Sequence, residues 1–219
     1  MNRGQLRERL RSAYLDDTAQ PYLWEDDLLD SFLEDAQQEA AIRSRSLVDT
    51  LQLPLVKGQG NYPLRGSTLD VTRFRVPGAG SLGRTSMEEL DESGSWEQRQ
   101  GRPTHYAFTS TQFSGDGVLI VYPAPGTDGE ATLTIQRLPA ALVNDDSEPE
   151  LPAHQHLFLL NWAAHRAFSL RDSDAEDQAR AAQHEGAFAA VFGERLDAKA
   201  MRKRAEKRPR RTRINTAWR

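Results

Sequence analysis

The sequence predicts an α+β protein: a helical bundle formed by the N- and C-terminal helices, with an inserted β-rich lobe and an extended basic C-terminal arm. Three observations carry this prediction. Apolar residues recur at helical spacing on both flanks, through Leu29, Phe32, Leu33 and Ala36 near the start and Leu157, Leu160, Trp162 and Phe168 near the end. Between them lies strand character, with residues 118–122 apolar or aromatic without a break and residues 131–138 alternating. Residues 199–219 hold ten Lys or Arg against one acid, Glu206.

Taken in order, residues 5–15 read as a first helix with Leu6, Leu10, Ala13 and Tyr14 on one stripe, ended by residues 16–21. A second helix starts at Trp24 or Glu25, where Glu25, Asp26 and Asp27 complement the positive end of its dipole. Its apolar face continues through Ala40, Arg43, Leu47 and Leu51 to a stop at Pro54. Glycine-separated strand candidates follow at 55–56, 61–64 and 69–76, and a phase change in the last predicts a bulge near Arg73. Ser86 is placed to cap a helical turn, with Glu89 closing a capping box. Trp96, Gly101, Pro103 and Tyr106 read as a structural corner. Residues 118–122 and 131–138 are expected to pair as a hairpin, because Pro123, Pro125, Gly126 and Gly129 supply a turn. After an acidic connector, a third helix over 153–171 is apolar around most of its circumference and so is central. A fourth over 174–193 has Ser173 as its cap and Glu176 as box partner, and carries the Phe188/Phe192 pair with small residues Ala175, Ala179, Ala182, Gly186 and Ala189 that permit close helix approach, to a stop at Gly193. The domain reading is 1–52 and 141–195 for the bundle, 53–140 for the lobe and 196–219 for the arm.

Composition narrows the chemistry. At 219 residues and 38% apolar content the chain can bury roughly 70% of its unfolded surface. The absence of cysteine excludes disulfides, thiolate catalysis and Cys-based zinc sites. No apolar run approaches the roughly 20 residues that span a bilayer, and the first ten residues lack a signal-peptide core, so the expectation is a soluble protein from a reducing compartment with no membrane partner. A net charge of −4 conceals a body near −13 and an arm near +9.

No catalytic residue, metal site or cofactor is expected. His154 and His156 are two apart and would face opposite sides of a helix, whereas metal pairs sit at i and i+4. Asp172, Asp174, Glu176 and Asp177 superficially resemble a calcium loop, but Asp177 and Gln183 stand where the loop needs glycine and glutamate. No nucleophile elbow, phosphate loop or dinucleotide fingerprint stands at a strand-to-helix junction. The arm is the segment whose composition demands a partner. Arg202, Lys203, Arg204, Lys207, Arg208, Arg210, Arg211 and Arg213 suit either nucleic-acid phosphates or protein carboxylates. Ile214 and Trp218 would be apolar anchors in the second case, and a solvated end is the bland alternative.

Several segments converge on a known family. Asp16, Asp17 and Thr18 with residues 21–29, then Glu39, Ala40 and Ala41, residues 62–64, Leu90 and Asp91, and Trp96 with residues 101–106 open the series. Residues 119–125, 137–139, 154–168, 172–174 and 188–193 continue it in order. Together they resemble the head-to-tail adaptor, or connector, proteins of tailed bacteriophages over nearly the whole chain. The resemblance implies a virion protein at the head-to-tail interface: a homo-oligomeric ring, commonly twelve-fold, that docks under the portal protein through its C-terminal arm. It further implies tail or nozzle proteins as partners and genomic DNA passing through the channel. A nucleic-acid-binding protein using the tail, or an adaptor with accessory cell-wall hydrolysis as in some short-tailed phages, are the alternatives.

Overall fold

In the computed structural model, which describes residues 1–92, 94–110, 117–171 and 176–195, the chain opens with helix α1 (Arg3–Leu10). Asn2 caps it reciprocally: its side chain accepts from the Gln5 N–H at 2.9 Å, while the Gln5 amide oxygen accepts from the Asn2 N–H at 3.2 Å. The helix therefore begins ahead of its first apolar residue and widens into a π-turn over Arg11–Leu15, closed by Asp16 at φ 53°. Helix α2 (Asp26–Ser44) starts where the acidic triplet predicts, but it ends at Ser44 and not at Pro54. Arg45 takes φ 53°, and the chain continues as strand β1 (Val48–Leu55). Leu47 and Leu51 misled the helical reading for a geometric reason. A spacing of four places residues on one face of a helix and equally on one face of a strand.

The lobe continues with β2 (Asn61–Leu64), β3 (Thr68–Val76), β4 (Gly80–Ser81), β5 (Gly83–Arg84) and helix α3 (Met87–Glu92). Then come β6 (Gln100–Gly101), β7 (His105–Ser110), β8 (Gly117–Tyr122), β9 (Ala124–Pro125) and β10 (Gly129–Arg137). They build one antiparallel sheet in the order β1-β10-β3-β4, a second in the order β2-β8-β7-β5, and a short parallel pair β6-β9. Val71, Phe74, Leu133 and Ile135 of the first sheet meet Tyr62, Tyr106, Leu119 and Val121 of the second in a sandwich core. Leu90 of α3 covers Ala107 and Ile120 on the opposite side of the second sheet.

Two lobe expectations have different outcomes. The bulge is present: Arg73 faces Thr134 and Val71 faces Ile135, so Thr72 is the extra residue, and both Val71 and Phe74 stay inward. The hairpin is absent: β8 pairs with β2 and β7, β10 pairs with β1 and β3, and the two arms lie in opposite sheets. The link between them is too long for a tight two-residue turn, and its Ala124 and Pro125 pair with β6 instead. Burial of β8 on both faces holds, supplied by the sandwich core and by α3.

The chain returns to helix through a 3-10 turn at Ala153–Gln155, then α4 (His156–Phe168) and α5 (Gln178–Phe192). Asp177 caps α5, accepting from the Ala179 and Arg180 N–H groups at 3.0 Å, and Gly193 at φ 89° ends it. Ser173, expected as the cap, lies outside the described residues. Helix α4 touches α1, α2 and α5, as its apolar circumference predicts. Leu29, Phe32, Leu33, Leu160 and Phe168 are buried. Leu157, expected in the core, is 43% exposed at the first turn of α4, and Trp162 is half-buried. Ala179, Ala182 and Gly186 are exposed, so the small-residue stripe of α5 does not mediate its contact with α4. Ala181, Phe188 and Phe192 do.

Candidate assembly surfaces

Arg202 to Arg213, Ile214 and Trp218, the predicted arm residues, lie outside the described residues. The last described residues, 193–195, lie beside the end of α2. There the side chain of Arg43, near the end of α2, is only 4% exposed and donates to Glu39 at 2.8 Å, to Glu185 of α5 at 2.9 Å and to the Gly193 carbonyl at 3.3 Å. Its guanidinium also stacks over Trp162 and Phe188, with centroid distances of 4.9 and 5.2 Å. Burial opposes the charge on Arg43, but the hydrogen bonds to Glu39 and Glu185 outweigh it and raise its pKa. Arg195, the last described residue, approaches the same Glu39 at 3.7 Å. Residues 193–195 are thus held against the C-terminal end of α2.

A second cluster fixes the acidic connector on α1. Arg3 and Arg7 reach across to Asp30 of α2 and to Asp145, with Arg7 at 2.7 Å from Asp30 and 2.9 Å from Asp145. Backbone bonds from Arg3 to Ser147 and from Gly4 to Asp145 complete the seam. Hydrogen bonds from Arg7 and then Arg3 pull the exposed Asp145 carboxyl down to about 2. Glu150 is likewise held below the ordinary carboxylate value, chiefly by its bond from Arg137 at the end of β10.

Arg11 organises the loop before α2. Its buried guanidinium pairs with Asp17 and donates to the Trp24 carbonyl at 2.7 Å and to Asp26 at 2.6 Å, with the Tyr22 ring 4.0 Å away. Asp17 in turn accepts from the Leu23 and Trp24 N–H groups. Tyr22 and Leu23 are left exposed beside an acidic cleft of about 330 Å³ lined by Trp24, Glu25, Asp26 and Asp27. A second cleft, about 470 Å³, lies at the lobe tip among Leu55, Val76, Pro103, Pro125 and Asp128. Gly101 and Pro103 of the predicted corner line it, whereas Tyr106 is buried in the sandwich core.

The metal-like motifs have structural explanations. His156 is buried, with Nε2 2.8 Å from the Leu151 carbonyl and Nδ1 3.1 Å from the Met1 amino group. Asp172 and Asp174 lie outside the described residues, and Asp177 is the α5 cap. Among the described residues no cluster of three or more potential ligands could hold a metal ion. Nor is any helix among them long and apolar enough to cross a membrane. His184 stacks on Phe168 at the α4–α5 seam, where burial, then Arg180 and His165, lower its pKa.

Sequence reasoning missed the Arg3, Arg7 and Arg11 clusters, because their partners are distant in sequence or sit in a loop without a period. Arg43 carried a signal: it fell on the apolar stripe of α2, and a cation there needs a buried partner.

Compared with known families, residues 1–214 match the sequence model described as SU10 adaptor protein. No curated protein matches the chain.

Proposed function

Because this chain belongs to the SU10 adaptor protein family, a family of phage head-to-tail adaptors, we propose that it forms a ring docked beneath the portal and that its C-terminal arm is the docking element. A structural role in a bacteriophage virion follows from the family itself. In the finer reading, the helical part builds the ring wall, residues 48–138 project as the lobe that receives tail or nozzle proteins, and residues 196–219 extend along an acidic groove of the portal. This reading starts the lobe with strand β1 at Val48. A twelve-fold ring around the DNA channel suits an acidic body, which repels DNA and lets it slide.

The observation that carries this reading is the family match over residues 1–214, which takes in most of the arm. Charge separation supports it, since an acidic body near −13 disfavours self-association at low salt while a basic arm near +9 is attracted to an acidic template. The chain alone is therefore expected as a monomer and the ring only with portal.

Portal binding by the full chain, by a chain ending at Leu196 and by Trp218→Ala, with native mass and at two salt concentrations, tests the proposal. The truncation should abolish binding, and loss of a buried Trp anchor should cost at least ~2 kcal/mol, or about thirtyfold in affinity. Full binding by the truncated chain refutes the arm. A second reading, in which the basic composition serves nucleic acid, predicts equal loss of affinity for portal and for arbitrary DNA.

A further inference from the structure

The lobe is a stack of three layers, the β1-β10-β3-β4 sheet, the β2-β8-β7-β5 sheet and α3, and its two outer faces carry opposite chemistry. On the first sheet, Ala131, Leu133 and Ile135 of β10 point into the core, so Thr132, Thr134 and Gln136 point to solvent. Register sets Thr134 between Thr50 and Arg73, and Thr132 between Gln52 and Arg75. The bulge exposes Thr72 and Arg73 together. The guanidinium groups of Arg73 and Arg75 have no ion pair or hydrogen bond among the described residues, unlike the body's clamped Arg3, Arg7, Arg11 and Arg43.

On the opposite outer face, Leu90 turns inward and Glu88, Asp91, Glu92 and Glu97 are exposed. Asp91 accepts from the Trp96 indole at 2.9 Å. Arg84 of β5 pairs with Asp70, and Arg99 donates to the Tyr122 hydroxyl. The sheet side thus carries Arg73 and Arg75 with a single exposed acid, Glu130, at the far end of β10, while exposed acids outnumber Arg99 on the α3 side. A two-fold contact through either face would set like charge on like. A head-to-tail contact sets unlike charges together and repeats from copy to copy, as a ring requires.

We propose that the outer face of the β1-β10-β3-β4 sheet seats the α3 side of the next copy of this chain, with Arg73 and Arg75 set against Glu88 and Glu92. This rests on the ring reading above and names the surfaces that meet within it. Threonine and glutamine on the sheet face donate and accept, and its apolar exposure is confined to Val48 and Pro54 at opposite ends of β1, which suits a polar contact that forms on a template.

Charge reversal tests the contact without altering the arm. Three variants are prepared: Arg73→Glu with Arg75→Glu, Glu88→Arg with Glu92→Arg, and all four together, the last keeping the wild-type net charge and hence its long-range repulsion. Ring assembly on portal is followed by native mass, with thermal melting as the check on folding. Each double reversal should raise the chain concentration for half-assembly about tenfold or more, and the fourfold variant should recover most of it. Because the chain has no cysteine, a second arm of the experiment is unambiguous. A Thr72→Cys chain mixed with a Glu92→Cys chain should form a mixed disulfide during assembly, and a chain carrying both should give a ladder beyond the dimer. Wild-type assembly by every reversal variant overturns the contact while leaving the ring intact. Self-crosslinking of Thr72→Cys alone overturns it in favour of a two-fold contact. Loss of DNA binding by Arg73→Glu with Arg75→Glu, at unchanged assembly, reassigns the face to phosphates. If the wild-type chain forms no ring with portal, the ring reading itself falls, and this contact with it.

Discussion

Asp145 stands on the surface between two arginines, and that placement makes it a reporter of the α1–connector seam. Its folded pKa, about 2, lies below the ordinary value of 3.8, so between those values the unfolded chain binds the proton more readily. The stabilisation is therefore fully present above the ordinary value and is lost as pH falls through about 2. Glu150, depressed by Arg137, acts with the same sign. The denaturant midpoint of the wild-type chain should fall between pH 4 and pH 2, and Asp145→Asn should fall less. The two curves should approach each other as pH falls through about 2, the carboxyl becoming neutral in both states only below that value. Parallel curves across that window would remove Asp145 from the seam's energetics. None of this was legible in the sequence, where Asp145 and Asp146 read only as an acidic connector. Neither arginine partner lies within 130 residues of it.

Among the elements, α4 is where periodicity was most informative and also where it overreached. Its buried positions, Leu159, Leu160, Ala163, Ala164, Ala167 and Phe168, follow a helical face that touches three other helices. Leu157 and Phe158 extend the apolar composition to a first turn that faces solvent, because hydropathy records side-chain type and not the neighbour that would cover it. Phe168→Ala should therefore cost about 3 to 5 kcal/mol, since it empties a site packed against His184 and the α1–α2 core. Leu157→Ala should change stability by less than about 0.5 kcal/mol. Equal denaturant midpoints for the two variants would erase the distinction between the faces. The same limit explains the hairpin. An unbroken apolar run correctly marked β8 as buried on both faces, but nothing in residues 118–138 says which strand lies alongside. Pairing partners come from β2, β7, β1 and β3, up to 88 residues away by register.

At the scale of the molecule, the described cores fall into two sets that share no residue. Leu6, Phe32, Leu160 and Phe188 belong to clusters built by the helices, while Phe74, Leu119, Leu133 and Leu90 belong to clusters built by the lobe. The lobe also enters and leaves the helices at one place, since the Arg137 N–H donates to the Leu47 carbonyl at 3.1 Å and β1 runs antiparallel beside β10 over its whole length. A segment with its own core and adjoining ends behaves as an inserted unit. The expected outcome is that residues 48–137, roughly ninety residues and so long enough to hold a core, fold alone with a strand-type circular dichroism spectrum and a cooperative melt. The helices, rejoined across Leu47 and Leu138 by a short Gly/Ser link, should retain their helical signal. The Arg137–Glu150 ion pair crosses the cut, so the excised lobe should melt somewhat below its temperature in the whole chain. A non-cooperative lobe fragment, together with collapse of the rejoined helices, would mean that the two cores stabilise each other and that the chain is a single folding unit.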